Sequence, residues 1–83
     1  MKVEFSKSAF RQFSKLSKEI QRRISAKIDF YVEQEDPLIF AESLKDSNLG
    51  SYRFRVGDYR IIFDVIKNTI FVLRIGNRKD IYK

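Results

Sequence analysis

The stretch SYRFRVGDYRIIFDVIKNTIFVLRIGNRKDIYK, residues 51–83, alternates with period two and so reads as strands rather than helices. Tyr52, Phe54 and Val56 point one way while Arg53 and Arg55 point the other. Gly57-Asp58 supplies a two-residue hairpin turn with glycine first, the type II′ pattern. That turn pairs Val56 with Tyr59 and sets Arg55 opposite Arg60. Like charges facing each other across an antiparallel pair cost roughly 0.2–1 kcal/mol. A chain that only has to fold has little reason to accept that; a chain that binds a polyanion has one.

Ile61, Phe63 and Val65 continue the Tyr59 side of the next strand. A turn at Lys67-Asn68-Thr69 then leads into a last strand with two conceivable registers. One places Ile70, Val72 and Arg74 against the core. The other places Phe71, Leu73 and Ile75 there and sends Arg74 and Arg78 to the side of Arg60. A slip of one residue exchanges the two faces. Burying an unpaired arginine is the worse outcome, so the second register is expected. It gathers Arg53, Arg55, Arg60, Arg74 and Arg78 on one face.

The charge distribution agrees. The 83 residues carry a net charge of +6. Residues 1–44 hold eight Lys and Arg against seven Asp and Glu, whereas residues 45–83 hold nine against four. The basic excess therefore lies with the strands, and a patch of this kind favours an anionic partner, nucleic acid first. With no cysteine and no histidine, thiolate chemistry is excluded and a transition-metal site is not expected. No apolar run approaches the roughly 20 residues of a membrane helix, and the start MKVEFSKS does not read as a signal peptide. A cytoplasmic protein without cofactor or metal is expected.

The first half reads as a short strand and two helices. Lys2 to Phe5 alternates, with Val3 and Phe5 inward. Ser6 caps a first helix with a Phe10, Phe13, Leu16 stripe, and Ser17 caps a second. In the second, Ile20, Ile24, Ile28, Tyr31 and Val32 recur at helical spacing. Its other face carries Lys18, Glu19, Arg22, Arg23 and Lys27, the residues of an ordinary solvated surface. Asp36-Pro37 ends this element, and a further helical turn falls within Pro37 to Lys45. The expectation is one α+β domain over residues 1–83, of order β-α-α-β-β-β. Its helical hairpin packs on one face of a small, largely antiparallel sheet. The helices cover Tyr52, Phe54, Ile61, Phe63, Leu73 and Ile75, and the arginine side stays open.

The strings YRFRVGDYRIIFDV and IFVLRIGNRKDIY, with the helical hairpin ahead of them, resemble toxins of the RelE/ParE superfamily over essentially the whole chain. The RelE branch consists of messenger-RNA endonucleases acting in the ribosomal A site. The ParE branch poisons DNA gyrase. Both are held inactive by a small antitoxin. Carried over by position, the resemblance implies backbone-binding roles for Arg53 and Arg55 and catalytic roles for Arg60, Arg78 and Tyr82. ParE-type sequences usually lack this full set, which favours the nuclease, with a gyrase inhibitor as the alternative. Asn77 stands where many relatives have histidine, removing an obvious proton carrier.

The implied reaction is attack of a ribose 2′-hydroxyl on the adjacent phosphorus, without metal. Arginine forks suit the phosphoryl oxygens, but arginine is a poor proton carrier with a pKa above about 12. Tyr82 is a candidate for proton transfer or for stacking on a base. Glu42, in an ESLK segment resembling one that places a glutamate near the site in one sub-branch, is a second candidate base. The partners implied are an acidic antitoxin and the ribosome with its message. Two blander readings compete: the arginine face is the solvated side of a sheet, or the chain is an inactive relative that keeps only antitoxin binding.

Overall fold

The computed structural model describes residues 1–45 and 48–82. Strand β1 (Lys2–Phe5) leads into helices α1 (Lys7–Ser14) and α2 (Lys18–Glu33), then a 3-10 turn (Pro37–Phe40). Four strands follow: β2 (Glu42–Ser43), β3 (Tyr52–Val56), β4 (Tyr59–Ile66) and β5 (Thr69–Asn77). They form a mixed five-stranded sheet in the order β1-β5-β4-β3-β2, antiparallel except where β1 runs parallel to β5. This is the expected α+β architecture with two additions: the edge strand β2, and the parallel pairing of β1.

The helices start where the serines direct. Ser6 Oγ accepts the Ala9 N–H at 3.0 Å and Ser17 Oγ accepts the Ile20 N–H at 3.2 Å, each answering a donor with no partner inside its helix. The Gln21 amide donates to the carbonyls of Phe13 and Leu16, tying the end of α1 to the start of α2. The further helical turn appears as the 3-10 segment, capped by Asp36.

Ile24, Ile28, Phe54, Ile61, Phe63, Ile70 and Val72 form the centre of the core. Tyr31 at the end of α2 packs on Phe54, and Phe54 on Phe63, with ring centroids 4.7 and 4.4 Å apart. Phe13 and Leu16 pack against this core, but Phe10 is 64% exposed, contrary to the expected stripe. Eight residues give α1 little more than two turns, and the small Ala9, fully buried, takes the position of closest approach.

Neither register expected for β5 holds throughout, because a β-bulge at Ile62/Phe63 lets the strand use both. Before it in β5, Ile70 and Val72 face the helices; beyond it, Ile75 does, while Arg74 lies opposite Ile62 on the other face. The extra residue, Leu73, is thus not under the helices, and neither is Phe71. All three apolar residues are buried without burying Arg74 in the core. Past the end of β1, α1 answers polar groups of β5: Ile75 N–H donates to Gln12 Oε1 at 2.8 Å, and Ser6 Oγ to the Leu73 carbonyl at 3.2 Å. The second hairpin turn is Lys67-Asn68 alone, both at positive φ, a type I′ turn that returns Thr69 to the ladder opposite Ile66.

Nor is the face away from the helices fully open. Ile62 is completely buried there. A Cβ placed on Gly50 would lie 2.6 Å from Ile62 Cγ2 and 3.2 Å from Leu73 Cδ1, so the chain before β3 lies directly over them. Asp64 accepts the Ser51 N–H at 2.7 Å and fixes that crossing. This face therefore has an apolar, covered part and a cationic part toward the Gly57 turn.

Candidate functional site

The cationic part is built by strand parity. Arg53 and Arg55 alternate with buried Phe54 and Val56 on β3, and Gly57, at φ +58°, makes the tight turn into β4. The resulting register pairs Arg55 with Arg60 and Arg53 with Ile62, so all three arginines share a face. Strand β2 adds what the sequence pattern did not disclose: Glu42 lies directly opposite Arg53. Its Oε2 is 3.1 Å from Arg53 Nη2 and its Oε1 3.5 Å from Arg55 Nη1, so one carboxylate bridges two guanidiniums. The Arg53 hydrogen bond holds the Glu42 carboxyl below the usual carboxylate range, and the two positive charges add to that against partial burial.

The chain after β5 turns back onto the same face. Asn77 Oδ1 accepts the Lys79 N–H at 3.0 Å, and its carbonyl accepts the N–H groups of Asp80 and Ile81. An asparagine bonding the backbone two residues on is a turn former, and that was the legible signal for Asn77. Gly76 lies opposite Arg60. Buried Ile81 sits within 3.8 Å of where a Gly76 Cβ would project, so it packs on the arginine side. Tyr82 then meets Arg53: Arg53 Nη1 donates to the phenolic oxygen at 2.6 Å. Hydrogen bonds to Tyr82 and then Glu42 hold the Arg53 guanidinium above its ordinary range, fully charged.

Arg53, Arg55, Glu42 and Tyr82 are thus one connected cluster. Arg60 and Arg78 make other contacts. Arg60 is 5% exposed, and its Nη1 donates to the carbonyls of Gly57 and Tyr59 at 2.9 and 3.0 Å. Arg78 lies beyond the end of β5, so strand parity does not set its direction. Its N–H donates to the Asp58 carbonyl at 2.8 Å, and its Nε lies 3.8 Å from Asp58 Oδ1. The side chains of Arg55 and Arg78 are 57% and 56% exposed and so reach solvent. Among the described residues, no three acidic side chains gather as metal ligands, and no helix is long and apolar enough to cross a membrane.

A groove of about 620 Å³ adjoins the cluster between α2 and the end of β3, with Phe30, Tyr31 and Val56 among its apolar walls and Arg23, Lys27 and Arg55 as its cations. Phe30, Ile39 and Phe40 leave substantial apolar surface exposed nearby.

Residues 3–82 match the ParE toxin of type II toxin–antitoxin systems, and the chain belongs to this family within the RelE/ParE superfamily. The toxin–antitoxin complex RelBE2 of Mycobacterium tuberculosis contains a similar chain: 25% identity, TM-score 0.74, 93% of this chain and 96% of that one covered. The RelB–RelE complex of Methanococcus jannaschii shows 28% identity, a TM-score of 0.72, and coverage of 94% and 93%. The isolated Escherichia coli RelE toxin, at 21% identity, shares the fold with a TM-score of 0.73 and coverage of 98% and 89%. No curated protein sequence matches significantly.

Proposed function

We propose that this toxin is a metal-independent endoribonuclease that cuts ribosome-bound messenger RNA. The observation that carries the reading is the return of Tyr82 onto the arginine face, where Arg53 grips its hydroxyl at 2.6 Å. A cationic sheet face that served only solubility would need no phenol fixed upon it. Because the oxygen accepts from Arg53, the phenol's own proton remains free to point outward, toward an oxygen of a bound phosphodiester.

In this reading Arg53 and Arg55 receive the RNA backbone, and the exposed Arg78 stabilises charge developing on the phosphoryl oxygens. Arg60, held by two turn carbonyls, is a fixed positive charge beside Arg55. The 2′-hydroxyl loses its proton and its oxygen bonds to phosphorus. The bond from phosphorus to the 5′-oxygen breaks, and that oxygen takes up a proton, leaving a 2′,3′-cyclic phosphate and a 5′-hydroxyl. Tyr82 is the candidate for handling one of these protons. Alignment of the message by the ribosome supplies orientation, which lowers the demand on acid–base groups.

The inhibitory partner is an acidic antitoxin segment, partly helical, whose apolar side enters the groove beside Phe30 and Tyr31 while its carboxylates meet Arg23, Lys27 and Arg55. That toxin–antitoxin complexes are among the similar structures supports this partner. Binding of such a segment should weaken with salt.

The ParE family match favours a second reading, a gyrase inhibitor without chemistry of its own. Mapping messenger-RNA 5′ ends after brief induction separates the two. Cuts at fixed positions within codons support the nuclease. Uncut messages, together with blocked supercoiling by purified gyrase, support the alternative.

A further inference from the structure

We infer that Glu42 is a resident counter-ion occupying the phosphate seat of Arg53 and Arg55, which a substrate phosphate must displace. This deepens the reading of those two arginines as backbone-binding groups. It does not require the nuclease assignment to hold.

The geometry is that of an anion shared between two forks. Each carboxylate oxygen takes one guanidinium nitrogen, Oε2 with Arg53 Nη2 and Oε1 with Arg55 Nη1. The natural fork on the side of an arginine is the parallel pair Nε–H and Nη2–H, which a carboxylate or phosphate fills with two oxygens. Glu42 fills only half of it, because its second oxygen is committed to Arg55. Arg53 Nε is left buried with no hydrogen-bond partner among the described residues. An unanswered buried donor is costly. A planar carboxylate cannot complete the Arg53 fork and keep Arg55. A tetrahedral phosphate, with oxygens in three dimensions, can do both.

The carrier of Glu42 suits displacement. Strand β2 has two residues and lies at the sheet edge, and Leu44 N–H bonding to the Ser51 carbonyl is the next tie along the chain. The Glu42 side chain is 44% exposed, so both ion pairs are individually weak. Arg53 would keep Tyr82 through Nη1, a nitrogen that Glu42 does not use. Glu42 therefore keeps two close guanidiniums ordered and cancels half of their charge when no phosphate is present, and sets a threshold that weak anions do not pass.

The test is titration of the protein with inorganic phosphate at low ionic strength, following the side-chain Nε–H resonances of Arg53 and Arg55 by NMR. Glu42→Gln keeps shape and removes charge, and Glu42→Ala serves as a second variant should the first disturb the edge strand. Each should bind phosphate roughly three- to tenfold more tightly than the unmodified protein, the yield of releasing two exposed ion pairs. Adding Arg55→Ala should abolish the gain. Equal affinity with and without Glu42, including no phosphate-dependent shift in any of these proteins, would overturn the inference. So would loss of message cleavage by folded Glu42→Gln at unchanged phosphate affinity, which would make Glu42 a base. A gain in affinity in a protein that never cleaves RNA would remove the nuclease reading and leave the seat in place.

Discussion

The hydroxyl of Tyr82 lies 2.6 Å from Nη1 of Arg53, and the Arg53 guanidinium carbon stands 5.8 Å from the Tyr82 ring centroid. One arginine thus orients both the oxygen and the ring of the tyrosine. The contact spans 29 positions of sequence, and it forms because the Asn77 turn reverses the chain after β5. It links a strand fixed by core packing to a segment in which, among the described residues beyond that turn, Ile81 is the buried anchor.

Tyr82→Phe deletes the acceptor and keeps the ring. The folded variant should cleave ribosome-bound message about 10²–10³-fold more slowly, the usual cost of removing one positioned polar group from a reacting centre. Thermal unfolding should change little, since Tyr82 is 41% exposed. Undiminished cleavage would instead assign the ring to stacking on a base.

The parity of β3, the Gly57 turn and the Arg55–Arg60 pair were legible in the sequence because a strand's side-chain period is fixed and a two-residue turn leaves one register. The serine caps were legible for the same local reason. The bulge at Ile62/Phe63 was not, because local alternation supports either register and only the whole core chooses both. Glu42 could be named as a candidate but not placed: a two-residue strand has no period, and its pairing with Arg53 is a tertiary event. The burial of Arg60 was likewise hidden, since its side chain folds back onto carbonyls of the turn.

Gly50 should resist substitution more strongly than the turn glycine. It sits at φ +150°, and a Cβ there meets Ile62 Cγ2, a methyl of a fully buried side chain, at 2.6 Å. At Gly57 the corresponding contact is Arg23 Nη2 at 2.9 Å, the far end of a flexible side chain that can swing away. Gly50→Ala should cost about 2–3 kcal/mol and Gly57→Ala about 1–2 kcal/mol in urea unfolding. Equal costs would mean that the segment over Ile62 yields.

The Glu42 ion pairs should carry a defined pH signature. The carboxyl titrates below the ordinary glutamate value of about 4.3, chiefly through the Arg53 hydrogen bond. A depressed folded value means that the contribution of this group is present above that pH and is lost as pH falls through the folded pKa. The stability difference between the unmodified protein and Glu42→Gln should be constant from pH 7 to about pH 5, then vanish at more acid pH. Carbon-detected NMR of the Glu42 carboxyl should show its midpoint move upward in Arg53→Ala. An unmoved midpoint would mean that Arg53 is not its dominant partner.

Arg60 and Arg78 should separate when stability and activity are measured together. Arg60 is buried against the carbonyls of Gly57 and Tyr59, so Arg60→Ala removes a charged donor from two acceptors and should cost about 1.5–3 kcal/mol. Arg78 is exposed and only loosely paired with Asp58, so Arg78→Ala should stay within about 0.5 kcal/mol. Lost activity in Arg60→Ala alone would therefore confuse folding with chemistry. Arg60→Gln retains a donor for the turn while deleting the charge, and is the cleaner probe. Arg60→Gln and Arg78→Ala should each lower cleavage of ribosome-bound message by about 10²–10³-fold with circular dichroism unchanged. Arg74→Ala, whose strand position faces Ile62 rather than the Arg55–Arg60 pair, should have far less effect. Full cleavage by the folded Arg60→Gln, Arg78→Ala double variant would overturn the roles given to these two arginines, whereas no cleavage by the unmodified protein would end the nuclease assignment and turn attention to gyrase.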